Sequence, residues 1–303
     1  MLYDGAEGAR RYMIALTIQS LISGLLIGAI YALLAVGLNM VFGGMRVVNN
    51  AHANFVVLGS YLAYTLAKSF HLDPLISMFL LSVPFFVLGM AIQRFLIEPL
   101  KRRKAAMLTT MLVMAGVWII TETLSLVVWT ADFRFVKTSY TGKSFEVFGM
   151  MISTTKLIFF GVSTVLLVLV YLFLTKTDKG RAIRAVTEDR EASQLMGVKI
   201  TEVTTLTFGI SCALAGIGGS LMSTIYPFYP AMADVWRGRL FCIVILGGLG
   251  SIPGSIISAF IFSVIEAMVT VFASAIWTDV VTYSLVILVL LIKPSGLLGR
   301  FTE

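Results

Sequence analysis

The sequence predicts an all-α polytopic membrane protein with about eight membrane elements, one of them a broken or re-entrant helix. Three observations carry that prediction. Of 303 residues 58% are apolar and 13% charged, with a mean hydropathy of +0.94, whereas soluble domains are about 25% charged. Apolar runs near ~20 residues, the length that crosses a bilayer, recur from end to end. The basic residues gather in short polar stretches between those runs, as the positive-inside rule expects of cytoplasmic loops.

These properties exclude several classes. The spans use most of the chain, so residues 1–303 read as one transmembrane domain with no room for a soluble catalytic unit. The net charge of +7 follows from loop lysines and arginines and does not indicate nucleic acid. Cys212 and Cys242 lie in apolar segments and suggest neither a disulfide nor a metal site. His52 and His71 are the only histidines, which rules out a multi-histidine metal centre. After Arg10 and Arg11 the apolar run Met13–Phe42 is too long for a signal-peptide core.

In chain order, Met13–Phe42 exceeds one span and is either a tilted helix or an entry helix followed by a span. Gly24, Gly28 and Ala32 form a ladder of small residues along one face. Gly43 and Gly44 end it. Asn49, Asn50, His52 and Asn54 are too polar for a lipid-facing helix; they line a path, or Asn49 or Asn50 caps a second span of about 53–70. His71–Pro74 makes a turn before a third span of about 75–97. Lys101, Arg102, Arg103 and Lys104 form the densest basic cluster and are placed in the cytoplasm. A fourth span of about 106–129 follows. The mixed segment 131–155 has alternation in RFVKTSY that suggests an outer strand or hairpin. A fifth span covers about 156–174.

The polar loop 175–203 is the longest such stretch in the chain, and parity puts it on the side of the basic cluster. Thr187 is an N-cap candidate, with Glu188, Asp189 and Glu191 near the positive end of a helix dipole. Ala192, Leu195 and Met196 recur at helical spacing and Gly197 stops the run, so a short helix over 188–196 is expected. Its small apolar face either packs on the protein's own helix ends or docks a partner. The sixth span, about 204–225, carries Cys212, Gly216 and Ser220 four apart, a close-packing stripe. Tyr226–Pro230 breaks it. The segment 237–273 is interrupted over 247–254, where Gly247, Gly248, Gly250, Pro253 and Gly254 cannot continue a helix, and the piece 237–246 is too short to span. They read as a re-entrant pair, tolerable only where protein or water satisfies the freed backbone. A last span of about 277–292 ends at Lys293–Pro294, leaving the C-terminus in the cytoplasm and the N-terminus outside.

Gly142-Lys143-Ser144 is not a phosphate-binding loop, because that motif needs glycine where Lys137 stands. Any ATP hydrolysis must come from another chain. Glu122 and Glu266 lie inside apolar runs, where acids either bond within the bundle or couple an ion to transport. No nucleophile triad or zinc-protease pattern is present. An importer subunit, an ion-coupled secondary carrier and a membrane scaffold therefore remain open on these residues alone.

Four regions resemble a known family: Gly28–Phe55 (GAIYALLAVGLNMVFGGMRVVNNAHANF), Arg181–Ile200 (RAIRAVTEDREASQLMGVKI), Ala213–Leu221 (ALAGIGGSL) and Leu246–Ala267 (LGGLGSIPGSIISAFIFSVIEA). The tail Lys293–Gly299 (KPSGLLG) adds to them. Together they resemble the LivH-like permease subunits of the branched-chain amino acid class of ABC importers. Glu191-Ala192-Ser193 with Gly197 also resembles the general permease "EAA" loop. The resemblance implies that Glu188, Asp189, Arg190, Glu191, Ala192, Leu195, Met196 and Gly197 form a cytoplasmic coupling helix seated on an ATP-binding subunit. It implies a path near Asn49, His52, Asn54, Gly247, Gly248, Gly250 and Gly254. The implied assembly holds a second, LivM-like permease, two ATP-binding subunits that carry ATP and Mg, and a periplasmic solute-binding protein. This chain would hold no cofactor and no metal and would sit in a bacterial inner membrane. Family members usually have a carboxylate where this chain has Asn54. That departure leaves urea, amides and organic carboxylates open as solutes beside small amino acids.

Overall fold

The computed structural model describes residues 3–45, 47–102, 107–147, 150–274 and 276–299. Among them the elements run α1 (Tyr3–Met45), α2 (His52–Phe70), α3 (Pro74–Ala91), a π-helical turn (Ile92–Ile97), α4 (Glu98–Arg102) and α5 (Met107–Trp129). A hairpin of β1 (Ser144–Val147) and β2 (Met150–Ser153) leads into α6 (Thr154–Lys176), α7 (Asp178–Glu188) and α8 (Arg190–Leu195). The chain closes with α9 (Ile200–Met222), α10 (Met232–Gly247), α11 (Ile252–Phe272) and α12 (Ile276–Ile292). Six helices are long and apolar enough to cross a membrane, and α12 is a shorter apolar helix.

The first apolar run is one unbroken helix, since nothing between Tyr3 and Met45 interrupts it. It and α9 are the two most buried spans; α5 and α6 are the least. The bundle is therefore built around α1 and α9, with Leu112, Ile119, Val127 and Val165 of α5 and α6 exposed as outward apolar surface. Small residues set the close approaches. A Cβ on Gly24 would stand 2.7 Å from Val264 Cα, and one on Gly28 would meet Phe260 at 2.6 Å, so α11 lies directly on α1. The α9 stripe works in the same way. A Cβ on Gly59 would reach Gly216 O at 2.8 Å, one on Gly89 would meet Cys212 Cβ at 2.8 Å, and Ser220 Oγ donates to Pro74 O at 2.8 Å. Without a hydrophobic drive between helices in lipid, such contacts and hydrogen bonds hold the bundle.

Two sets of contacts define the ends. At one end Gln19 Nε2 donates to Met151 O (3.3 Å) and Lys156 Nζ to Ser23 Oγ (2.6 Å). There, too, Tyr140 donates to Asp73 at 2.7 Å; burial first, then that carboxylate, pushes the Tyr140 phenol well up. At the other end Thr201 Oγ1 donates to Glu98 at 2.8 Å, which brings α4 beside the start of α9. The parity expected for the basic cluster and the 175–203 loop is thus met, although Arg103 and Lys104 fall outside the described residues. The descending α10 and ascending α11 form the broken pair, with α10 beginning at Met232, five residues before the sequence expectation.

Three expectations are corrected. The hairpin forms at 144–153, not in RFVKTSY; there only Arg134 pairs, through a bridge to Phe228. The expected helix over 188–196 is two helices, because Asp189 leaves the helical region (φ −147°, ψ 108°) and accepts from Ala192 N at 2.9 Å as the cap of α8. Thr187 lies inside α7 instead, its hydroxyl donating to Ile183 O at 2.9 Å. The cap of α2 is Ala51, with no side-chain bond, so neither Asn49 nor Asn50 performs that role.

Candidate functional site

The α7–α8 arm is built by local rules. Thr177 Oγ1 accepts from Gly180 N at 3.0 Å to start α7, and buried Ile183 and Val186 hold it against the bundle. Arg184 Nε donates to Leu174 O at 3.0 Å, so α7 also ties off an orphan carbonyl near the end of α6. On α8 only Ser193 is buried; Gly197 stops it at φ +84°. Glu188, Asp189, Arg190, Glu191 and Ala192 are exposed. Leu195 and Met196 are 88% and 84% exposed, which overturns the idea that they pack on the chain's own helix ends.

The arm touches the break. A Cβ on Gly43 would stand 2.7 Å from Thr187 Cγ2 and 2.9 Å from Gly250 Cα, so α1, α7 and the glycine turn meet there with no room for a side chain. Gly248 and Gly250 have φ of 100° and 84°, a region that favours glycine, and Gly247 packs flat on Gly254. The freed backbone is satisfied within the protein. Asn39 Nδ2 lies 2.6 Å from Ser255 Oγ, 2.9 Å from Ser251 O and 3.2 Å from Gly248 O, while its Oδ1 accepts from Gly250 N at 2.7 Å. The tail closes the rest, with Leu297 N donating to Leu246 O (2.8 Å) and Leu298 N to Gly247 O (3.1 Å).

The polar residues near the start of α2 are buried, not open. His52 Nε2 bonds Leu34 O at 3.1 Å and therefore carries the proton, leaving Nδ1 to accept from Ser211 Oγ at 3.4 Å. Asn49 is fully buried, and neither amide atom has a partner among the described residues. Asn54 Oδ1 accepts from Arg237 Nη2 at 3.0 Å. Arg237 also donates through Nε to Asn50 O (3.0 Å) and through Nη1 to Asp234 (2.7 Å). Its guanidinium lies 3.6 Å from the Trp118 ring centroid. The structure thus joins Asn54 to α10, whereas Gly247, where that helix ends and the glycine turn begins, lies about 15 Å farther along it. The residues expected along a path form separate clusters rather than one lining.

Of the two intramembrane acids, Glu266 is internally neutralised. Arg239 approaches it at 2.6 Å and Tyr31 donates to it at 2.8 Å, and the same arginine reaches Asp279 at 3.4 Å. It thus bonds within the bundle, to an arginine and a tyrosine. Glu122 accepts from Trp118 Nε1 at 2.6 Å and lines a groove. Sequence reasoning missed Asn39, Arg239 and the roles of Tyr31 and Trp118. The available signal was a polar residue inside an apolar span: Asn39 between Leu38 and Met40, and the arginines of α10.

Against known proteins, residues 20–290 match the family model "Branched-chain amino acid transport system / permease component". The chain is 30% identical to the Salmonella typhimurium high-affinity branched-chain amino acid transport system permease protein LivH, over 93% of this chain and 96% of that one. It is 30% identical to BraD of Pseudomonas aeruginosa, a permease protein of the same description, over the same shares. The Salmonella typhimurium permease protein LivM is 30% identical over 47% of this chain and 35% of its own length. No solved structure matches. With the family model spanning nearly the whole bundle, from the small-residue face of α1 to the end of α12, the chain belongs to the branched-chain amino acid transport permease family.

Proposed function

We propose that this chain is the permease subunit of an ATP-driven importer of small amino acids, and that it does no covalent chemistry itself. The observation that carries the proposal is the α8 face. Leu195 and Met196 are almost wholly exposed at the tip of an arm whose base rests on the glycine turn. An apolar pair so presented on a polar arm needs a covering partner. An ATP-binding subunit, with ATP and Mg in its own site, fits that need. Glu188, Asp189, Arg190 and Glu191 would form the polar rim, and Gly197 would set the angle of the tip. Movement of α8 would reach the bundle through Thr187, Gly43 and Gly250.

The similarity of this chain to both LivH and LivM of one organism supports pairing with a second, related permease. The solute would pass between the two, delivered by a periplasmic solute-binding protein, in a bacterial inner membrane with the arm in the cytoplasm. The carrier alternative loses Glu266, which Arg239 already neutralises.

The test is co-expression with the adjoining transport genes, purification, and uptake by proteoliposomes. ATP-dependent amino acid uptake, with a phosphate-loop ATPase that co-purifies and is lost on Glu191→Arg, is expected. Uptake by the chain alone, indifferent to Glu191→Arg, would refute the reading.

A further inference from the structure

The Glu122 groove is unlike the rest of the outer surface of α5. It has a volume of about 390 Å³ and lies between α5 and the segment Tyr229–Ala231, with Trp118, Glu122, Thr123, Leu126, Tyr229 and Pro230 among its walls. That volume is in the range of small-molecule sites, ~300–1,000 Å³. Glu122 is the one Asp, Glu, Lys or Arg in the lining. It stands seven residues before the end of α5, about 10 Å inside the span. Trp118 holds Oε2, and among the described residues no hydrogen bond reaches Oε1. Among the described residues no basic group forms an ion pair with it.

The guanidinium stacked on Trp118 is already committed. Arg237 sits over Trp118 but gives its hydrogen bonds to Asp234, Asn50 O and Asn54. Among the described residues the groove therefore offers a carboxylate with no cation on it. A carboxylate at such depth is costly without a cation. A metal ion does not fit, because hard cations take about six or more oxygen ligands and one carboxylate oxygen is offered. A primary ammonium fits better. It would donate to Oε1, face the Trp118 and Tyr229 rings, and leave the attached apolar side chain against Leu126 and Pro230.

We propose that Glu122 is an ammonium-binding subsite, at which the permease itself receives the amino group of an amino acid. The proposal rests on the importer reading and adds a solute contact inside this chain. The experiment uses the assembled importer in lipid nanodiscs without its solute-binding protein. L-Leucine and 4-methylpentanoate, the same skeleton without the amino group, compete for binding read by saturation-transfer NMR. Wild type is expected to prefer L-leucine at least tenfold, the scale of one charge-assisted hydrogen bond. Glu122→Gln should erase that preference by weakening L-leucine alone, and Glu122→Asp should keep part of it. An unchanged preference, or equal weakening of both ligands, would overturn the proposal. Loss of the second permease from Glu122→Gln preparations would also overturn it, by making Glu122 an inter-subunit ion-pair partner. ATP-driven uptake of L-leucine by the complete wild-type assembly is scored separately. Its absence would sink the importer reading and the subsite together, whereas uptake with an unaltered preference in Glu122→Gln would sink the subsite alone.

Discussion

Replacing Asn39 by leucine removes the pin that holds the α10–α11 break. The amide has two hydrogens for three acceptors, Ser255, Ser251 and Gly248, so one makes a full bond and the other is shared, and a further bond comes from Gly250 N. Three effective hydrogen bonds at ~0.6–1 kcal/mol each give about 2–3 kcal/mol, using values measured within membrane bundles and in soluble proteins. The Gly250 N–H would also lose this acceptor in a partly buried site, which brings the total to about 3–4 kcal/mol. At ~2 °C per kcal/mol for a chain of this size, the apparent Tm should fall by about 6–8 °C. Membrane proteins commonly unfold irreversibly, so the assay is a fluorescence melt at one fixed scan rate in one detergent. Asn39→Asp should fall further than Asn39→Leu, because it keeps no amide donor and turns a buried charge toward two carbonyls. A shift under about 1 °C for leucine, or an aspartate variant more stable than the leucine variant, would refute the pin.

Other perturbations follow from the same geometry. Gly43→Ala puts a Cβ against Thr187 and Gly250, and overpacking of ~1 kcal/mol should cut ATP-driven uptake about fivefold at unchanged membrane abundance. Adding Thr187→Ala should restore part of it; no restoration would mean the contact transmits nothing. Leu195→Asp should leave the Tm within about 1 °C, since the residue is 88% exposed, while removing the co-purifying ATPase. A large Tm loss would show instead that α8 is part of the folded core. Arg237→Ala should destabilise more than Asn54→Ala, because it strands the Asn54 amide, the Asn50 carbonyl and Asp234 together. A double-mutant cycle on Asn54 and Arg237 should return a coupling of about 0.5–2 kcal/mol, and additivity would deny the pair.

The span limits were legible because they depend on local quantities. Hydropathy over ~20 residues marked α3, α5, α6, α9 and α12 to within a few positions, and the glycine-rich run marked the break. Small residues spaced by four announced close packing on α1 and α9, although not which helices would use it: α11 for Gly24 and Gly28, α3 for Cys212 and α2 for Gly216. The α7–α8 arm was half legible. Its charge and stop signal were clear, but Thr187 and Asp189 are both acceptable caps by composition, and the choice fell to Asp189 once Ile183 and Val186 were buried and α7 ran on to Glu188.

Hydropathy, helix stops and small-residue spacing, all properties of neighbouring residues, therefore determined that this is an α-helical membrane bundle with a polar arm and a broken pair. Only the tertiary structure decided that Asn39 holds the break from 209 to 216 residues away. The same is true of Arg239 neutralising Glu266, of Arg237 being committed to Asn54, and of Glu122 meeting Trp118 with no ion pair among the described residues. A buried polar group is costly until it finds a partner, and where that partner lies depends on which helices touch. Local sequence pattern shows that a partner is needed and carries no record of where it is.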